Sequence, residues 1–270
     1  MRNFAISLIC LIIALTYDIS GAEQTYVYEA LFFPREVPIT IDGDLSDWEI
    51  LGAGVENLDN ICQAVGKAKL LRPRSKADLS AKFRAVADPD NFYVAVEVND
   101  DRLIFGESRF GEAHEDDSVE IYFDGDRKVH SYSDSTENFN ITHTDYDAND
   151  AEIRVSVDEA GNVQLEGMGL FGGRLVMLPG LWESLGITAA IKKNLTGYRA
   201  ELKVPKIVFV SVPLRPGVRI GFNVMVNDDD DGDGRDSKVS WTADLFDQSW
   251  LTTKHFGQLL LIPSPSSRNR

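Results

Sequence analysis

The chain has 270 residues, enough for one large domain or two small ones with a real core, and sets 43 acidic against 27 basic side chains for a net charge of −16. That acidity argues against nucleic acid and anionic membranes as partners and leaves neutral polymers, cations and basic surfaces. Beyond the first segment Cys62 is the only cysteine, so internal disulfides cannot hold the fold; Cys62 is either free or paired between chains.

The opening segment reads as a secretory signal. Arg2 gives it a positive start, Phe4 to Tyr17 is a nearly unbroken apolar run, and Ser20-Gly-Ala22 offers the small residues a signal peptidase prefers, so residues 1–22 are expected to be removed and the protein secreted. Cys10 lies inside the apolar run, which argues against a lipid anchor, and no later stretch reaches the ~20 apolar residues of a spanning helix.

Strand-like composition begins at Tyr26 to Phe33 and Val37 to Ile41, broken by Pro34 and Pro38. In Ile41-Asp-Gly-Asp-Leu-Ser-Asp-Trp48 a turn at Asp42-Gly43 lets Leu45 and Trp48 fold back onto the core. Residues 49–79 lack clear periodicity and hold the basic cluster Lys67 to Lys76, as a long surface excursion would. Ala81 to Ala87 and Asn91 to Val98 form a predicted hairpin around Asp88-Pro-Asp90.

The run His114-Glu-Asp-Asp-Ser-Val-Glu-Ile-Tyr-Phe-Asp124 sorts two chemistries onto two faces. Val119, Ile121 and Phe123 alternate with Ser118, Glu120, Tyr122 and Asp124, so one set packs inward while Glu120 and Tyr122 stand side by side on the other face. A carboxylate beside an aromatic ring suits a sugar; the same alternation also suits any strand with one solvated face.

Further strands are expected at 138–143 and 152–157, with a turn over 158–162. Residues 164–185, rich in Gly, Leu and Met, resemble an insertion more than a regular strand pair. Residues 187–193 and 198–204 read as a hairpin, 219–227 as a strand with Ile220, Phe222, Val224 and Val226 inward, and 256–262 as the last strand before a disordered Ser/Pro tail at 263–270. Many short strands without βα alternation predict an all-β, antiparallel β-sandwich over 23–262, as a single domain.

Five carboxylates crowd into Asp228 to Asp233, and Asp229, Asp231, Asp233 and Gly234 match the Asp-x-Asp-x-Asp-Gly opening of a calcium loop. Ser240 falls where an EF-hand needs Glu, which excludes that motif. A calcium loop on a β-scaffold and a solvated acidic turn both remain open. Asp100 with Asp101, and Glu115 with Asp116 and Asp117, are smaller candidates for a second ion. The four histidines show no transition-metal spacing. Trp48 and Trp241 sit among core-like residues, whereas Trp250 stands in a polar loop before the last strand, where an indole can serve as a platform for a pyranose face. Asn140-Ile-Thr142 and Asn194-Leu-Thr196 are glycosylation sequons.

In order, Ile41 to Trp48, Phe92 to Asp100, Glu115 to Asp124, Tyr198 to Pro205, Ile220 to Asp228, Ser240-Trp241 and Phe256 to Ile262 together resemble the family 9 carbohydrate-binding modules of the DOMON-like β-sandwich group, including their jelly-roll architecture. The resemblance implies a non-catalytic module that holds structural Ca2+ and grips one or two sugars at a polysaccharide or glycan end between two tryptophans, which the signal segment makes a secreted one. Carried over by position, one clamp tryptophan is Trp250 and the strand carboxylate is Glu120. Asp247 stands where the family has an amide, His114 where it has the other clamp tryptophan, and Asn140 where it has a binding arginine. An acidic matrix or mineral-associated protein that has lost sugar binding is the alternative. A haem-binding DOMON relative using Met168, Met177 or Met225 is the third reading.

Overall fold

A computed structural model describes residues 25–62, 72–106, 109–128, 145–171, 174–209 and 212–265. The expected signal segment 1–22, the expected strand at 138–143 with Asn140, and the first part of the basic cluster, Lys67 and Lys69, lie outside them.

Fourteen strands are described. They are β1 (Val27–Phe32), β2 (Glu56–Asn57), β3 (Asn60–Ile61), β4 (Leu79–Ala87), β5 (Asn91–Asp100), β6 (Ser118–Asp124), β7 (Asp150–Val157), β8 (Val163–Phe171), β9 (Arg174–Val176), β10 (Thr188–Asn194), β11 (Gly197–Pro205), β12 (Arg219–Asp228), β13 (Ser237–Ser240) and β14 (Gly257–Pro263). Two short α-helices, α1 (Ser46–Leu51) and α2 (Leu181–Ser184), and two 3-10 turns, Lys206–Phe209 and Thr253–His255, complete the regular structure, and no helix among the described residues is long and apolar enough to cross a membrane.

The main path of pairing runs β10-β11-β5-β4-β1-β14-β12-β6-β7-β8-β9. Folded at β1, it makes an all-β sandwich whose first layer is β10-β11-β5-β4 and whose second is β14-β12-β6-β7-β8-β9. β1 is the exception to antiparallel pairing, since it lies parallel to both β14 and β4. Its position between the layers ties the first strand to the last and leaves no open edge there.

Period-two alternation decides which side chains meet between the layers. Val119, Ile121 and Phe123 from β6 and Ile220, Phe222, Val224 and Val226 from β12 all enter one core with Phe83, Phe92 and Tyr198. Ring centroids lie 5.5 Å apart for Phe92 and Phe123 and 5.6 Å for Phe83 and Phe222, so aromatic contacts cross the sandwich directly. Fully burying one such ring contributes about 1.5–3 kcal/mol.

Several expectations change. Val37 to Ile41 is not a strand; the two prolines remove backbone donors, and the segment packs Val37, Ile39 and Ile41 beside Trp48 in a satellite core. The turn after it leads into α1, and both are fastened by one buried carboxylate. Glu201 accepts from the Trp48 indole at 2.7 Å and from the backbone of Asp42 and Gly43 at 3.0 and 2.6 Å. Gly43 is needed there, because its φ is +76° and any Cβ would fall 2.4 Å from that of Lys192. Residues 49–79 contribute β2 and β3, which pair with β4 and β13. Residues 164–185 are not an insertion: β8 pairs with β7 along seven positions from Ala151 to Val157. The C-terminal boundary also moves, since β14 runs through Pro263 and Ser264 is buried with its N–H on Phe32.

The largest correction concerns the outer faces of β6 and β12. Every residue of β6 is buried, and Asn223, Met225 and Asn227 are at most 1% exposed. The polar faces are therefore not solvated. They form the floor of a covered hollow.

Candidate functional site

A cavity of about 270 Å³ lies on that floor, lined by Gly111, His114, Glu115, Glu120, Tyr122, Glu152, Arg154, Gly167, Met168, Met177, Arg235, Lys238, Asp247 and Trp250. Of the five sequence-predicted sugar-site residues, Glu120, His114, Asp247 and Trp250 share this one hollow. Asn140 lies outside the described residues.

Strand register builds the floor. Glu120 on β6 stands opposite Arg154 on β7 and Met225 on β12, while Tyr122 stands opposite Glu152. Alternation then sends Glu152 and Arg154 to the same side as Glu120, away from Ile153 and Val155 in the core. Gly167 on β8 lets the strands close here, since a Cβ on it would meet the Glu152 carbonyl oxygen at 2.1 Å.

Glu120 is the hub of the floor. It accepts from Lys238 Nζ at 2.6 Å, Tyr122 Oη at 2.7 Å, Asn227 Nδ2 at 3.0 Å and Arg154 Nε at 3.2 Å. Burial opposes its charge, but Lys238, Arg154 and Arg235 outweigh that and hold its carboxyl well below the usual carboxylate range. Lys238 also donates to Asp247 at 2.6 Å, and Arg235 reaches Asp247 at 2.9 Å and Asn227 at 2.8 Å. Arg154 forks to Glu152 and, at 3.3 Å, to Glu166. Burial pushes the Glu152 carboxyl up, against the pull of Arg154.

The walls come from loops. Asp244, itself buried, accepts from the backbone of Gln248 and Ser249 and so winds the loop that aims Asp247 inward, at a left-handed φ of +53°. Trp250 is half-buried and packs with Phe256 against Cys62, Tyr122, Tyr146 and Met225. On the rim, His114 Nε2 lies 3.3 Å from Glu115, and Glu115 also accepts from the Arg235 N–H at 3.1 Å. With His114 as the first cause, the Glu115 carboxyl is brought down to about 2. Cys62 is fully buried, and burial pushes its thiol up, so a bond between chains through it is not available.

A second acidic cluster sits nearby at one end of the sandwich. Asp100 closes β5, Asp117 precedes β6 and Asp228 closes β12, and one carboxylate oxygen from each lies within 4.8 Å of the others. All three are buried, and Asp100 Oδ2, Asp228 Oδ1 and the neighbouring Tyr198 hydroxyl have no hydrogen-bond partner among the described residues. Burial first, then repulsion from nearby carboxylates, pushes Asp100 to about 7, Asp228 to about 8 and Asp117 to about 9. An oxygen-rich, under-satisfied set of this kind fits a hard cation such as Ca2+.

The loop expected to hold the ion is arranged differently. Asp229 and Asp231 do converge, but with Asp236, while Asp233 is exposed and outside the group. Asp229 turns its Oδ1 onto the N–H groups of Asp231 and Gly232, capping its own turn. Asn194 lies exposed at the end of β10, in the layer that contributes nothing to the cavity.

The model of the carbohydrate family 9 binding domain-like family matches residues 60–264. The chain belongs to that family. Family 9 modules from Caldicellulosiruptor kristjanssonii share its fold: one in complex with glucose superposes with a TM-score of 0.59 at 18% identity, over 92% of this chain and 100% of that one. Another, in complex with cellotriose, gives 0.57 at 20% identity over 88% and 94%. In sequence the chain is 29% identical over 187 residues to an exoglucanase of Acetivibrio thermocellus, covering 69% of this chain and 14% of that enzyme. It is 31% identical over 182 residues to endo-1,4-beta-xylanase C of Paenibacillus barcinonensis, covering 67% and 14%. The family 9 match thus spans about one seventh of either enzyme.

Proposed function

We propose that this family 9 chain is a secreted, non-catalytic sugar-binding protein that stacks a sugar on Trp250 above the Glu120 floor and is braced by calcium at Asp100, Asp117 and Asp228. The observation that carries the reading is the convergence of Trp250, Glu120, Asp247 and His114 on one cavity. An indole wall supplies apolar contact for a ring face, and a fixed floor of charged groups supplies oriented hydrogen bonds for hydroxyls. At about 270 Å³ the hollow suits a ring or two at a chain end more than the side of a long polymer.

Non-catalytic binding is supported by how the carboxylates are used. Lys238 holds Glu120 and Asp247 together, so neither stands free as the nucleophile or proton donor that glycoside cleavage demands. The Ca2+ would be a brace: Asp100 comes from one layer of the sandwich and Asp117 and Asp228 from the other. The haem reading gains no support, because Met168 and Met177 share with His114 a hollow floored by ion pairs rather than an apolar slot. Secretion rests on the signal-like segment at 1–22, and Asn194 is an accessible acceptor for a glycan that would not crowd the cavity.

A glycan array run with calcium, with chelator and with Trp250→Ala tests the proposal. Binding that survives only with calcium and the indole is expected. A folded protein that retains no glycan of any kind would leave the acidic, cation-binding scaffold as the better description.

A further inference from the structure

The charges around the cavity are unequal, and the inequality bears on which sugar it accepts. Four carboxylates line the hollow (Glu115, Glu120, Glu152 and Asp247) and Glu166 stands behind it, against three cations, Arg154, Arg235 and Lys238. Each cation is already committed. Arg154 serves Glu120, Glu152 and Glu166; Lys238 serves Glu120 and Asp247; Arg235 serves Asp247 and Asn227.

A carboxylate arriving on a ligand would have to draw one of these cations away. That would strand a protein carboxylate in a buried site, where an unpaired charge is far more costly than in water. The open position has the opposite character. One oxygen of Glu152 takes the Arg154 guanidinium, and the other has no hydrogen bond among the described residues, although the residue is 1% exposed and lines the cavity. Its complement is a donor, and a positively charged donor is the strongest.

Resting on the sugar-binding reading, we propose that the cavity selects its sugar by charge, holding an amine-bearing sugar more tightly than its neutral counterpart and rejecting uronic acids, with Glu152 as the group that receives the ammonium. The burial that pushes the Glu152 carboxyl up makes it responsive to a nearby cation, which would restore its charged form.

Glucose, glucosamine and glucuronate, which share one ring, provide the test by titration calorimetry or ligand-observed NMR on the calcium-loaded chain. Glucosamine is expected to bind about tenfold tighter than glucose and glucuronate about tenfold weaker, with both ratios shrinking in high salt. In a Glu152→Gln protein that keeps its near-UV dichroism, the glucosamine-to-glucose ratio is expected to fall to about one, whatever happens to glucose affinity itself. Glucuronate binding as tightly as glucose, no glucosamine preference in the parent protein, or an unchanged ratio in Glu152→Gln would each overturn the inference while leaving sugar binding intact. Failure of all three sugars, together with a blank glycan array, would overturn the sugar-binding reading and this inference with it.

Discussion

Two groups of buried carboxylates lie within a few residues of each other, and they are handled in opposite ways. Around the cavity, Glu120, Glu152, Glu166 and Asp247 are met by the chain's own Arg154, Arg235 and Lys238. At the strand ends, Asp100, Asp117 and Asp228 have each other, a few backbone N–H groups and the Ser237 hydroxyl, and two of their oxygens have no partner among the described residues. The first group is held from within the chain, with one oxygen of Glu152 left open toward the cavity. The second is completed only from outside, which makes it the place where the fold answers to its surroundings.

Breaking the self-contained group should have the largest effect. Lys238 is 2% exposed and holds both Glu120 and Asp247, so Lys238→Met leaves two buried carboxylates short of a partner. A loss of about 3–5 kcal/mol is expected in denaturant unfolding, with sugar binding lost as well. A change under about 1 kcal/mol would mean that water replaces the ammonium, and that the floor is softer than its geometry implies.

Calcium removal comes next. If the cation is present at about 100 times its dissociation constant, it contributes roughly 2.7 kcal/mol, so chelation should lower the melting temperature by roughly 5–10 °C in a chain of this size. Asp228→Asn should reproduce most of that loss and make the protein indifferent to chelator. The pH dependence sharpens the contrast further. In the folded, calcium-free chain, Asp100, Asp228 and Asp117 stand at about 7, 8 and 9, against an ordinary 3.8. The folded state therefore binds more protons than the unfolded one, and the stability this gives is full below about pH 4 and lost as pH rises through those folded values. In chelator, the melting temperature should fall from about pH 4 to about pH 9, most steeply below pH 7 where all three folded-state protons are still bound. Saturating calcium should flatten that slope, because a bound cation holds the carboxylates ionised throughout.

The same contrast explains what could be read from the sequence. The faces of β6, β11 and β12 were legible because period two survives burial: Phe123, Tyr198 and Phe222 fall inward whatever covers the other side. That other side was misjudged, since polar residues look alike whether they meet water or a buried ion pair. Glu120 could be picked out, but Arg154, Arg235 and Lys238 could not. Their pairing depends on register across β7, β6, β12 and β13 and on the turn before β13 that carries Arg235, which nothing local in the chain specifies. The alternation of Glu152 and Arg154 with Ile153 and Val155 was the available signal, and it marked a charged face without saying what lay opposite. For calcium, consecutive acidic residues drew attention to 229–233, whereas the buried cluster is assembled from three distant strand ends.

The smallest expected effect decides between those two calcium assignments. Asp233 is exposed and, although it lies against Asp231, is not one of the three converging carboxylates Asp229, Asp231 and Asp236, so Asp233→Asn should leave the melting temperature and calcium titrations essentially unaltered. Asp236→Asn should cost more, about 1 kcal/mol, because the Asp236 carboxylate accepts from the Asp230 N–H at 3.0 Å and helps close the turn that leads to Arg235. If calorimetry instead showed Asp233→Asn abolishing calcium binding while Asp228→Asn preserved it, the cation would belong to the exposed loop. The orphaned oxygens between the layers would then need a different occupant, and the sandwich would have to hold its two sheets together at that end by packing alone.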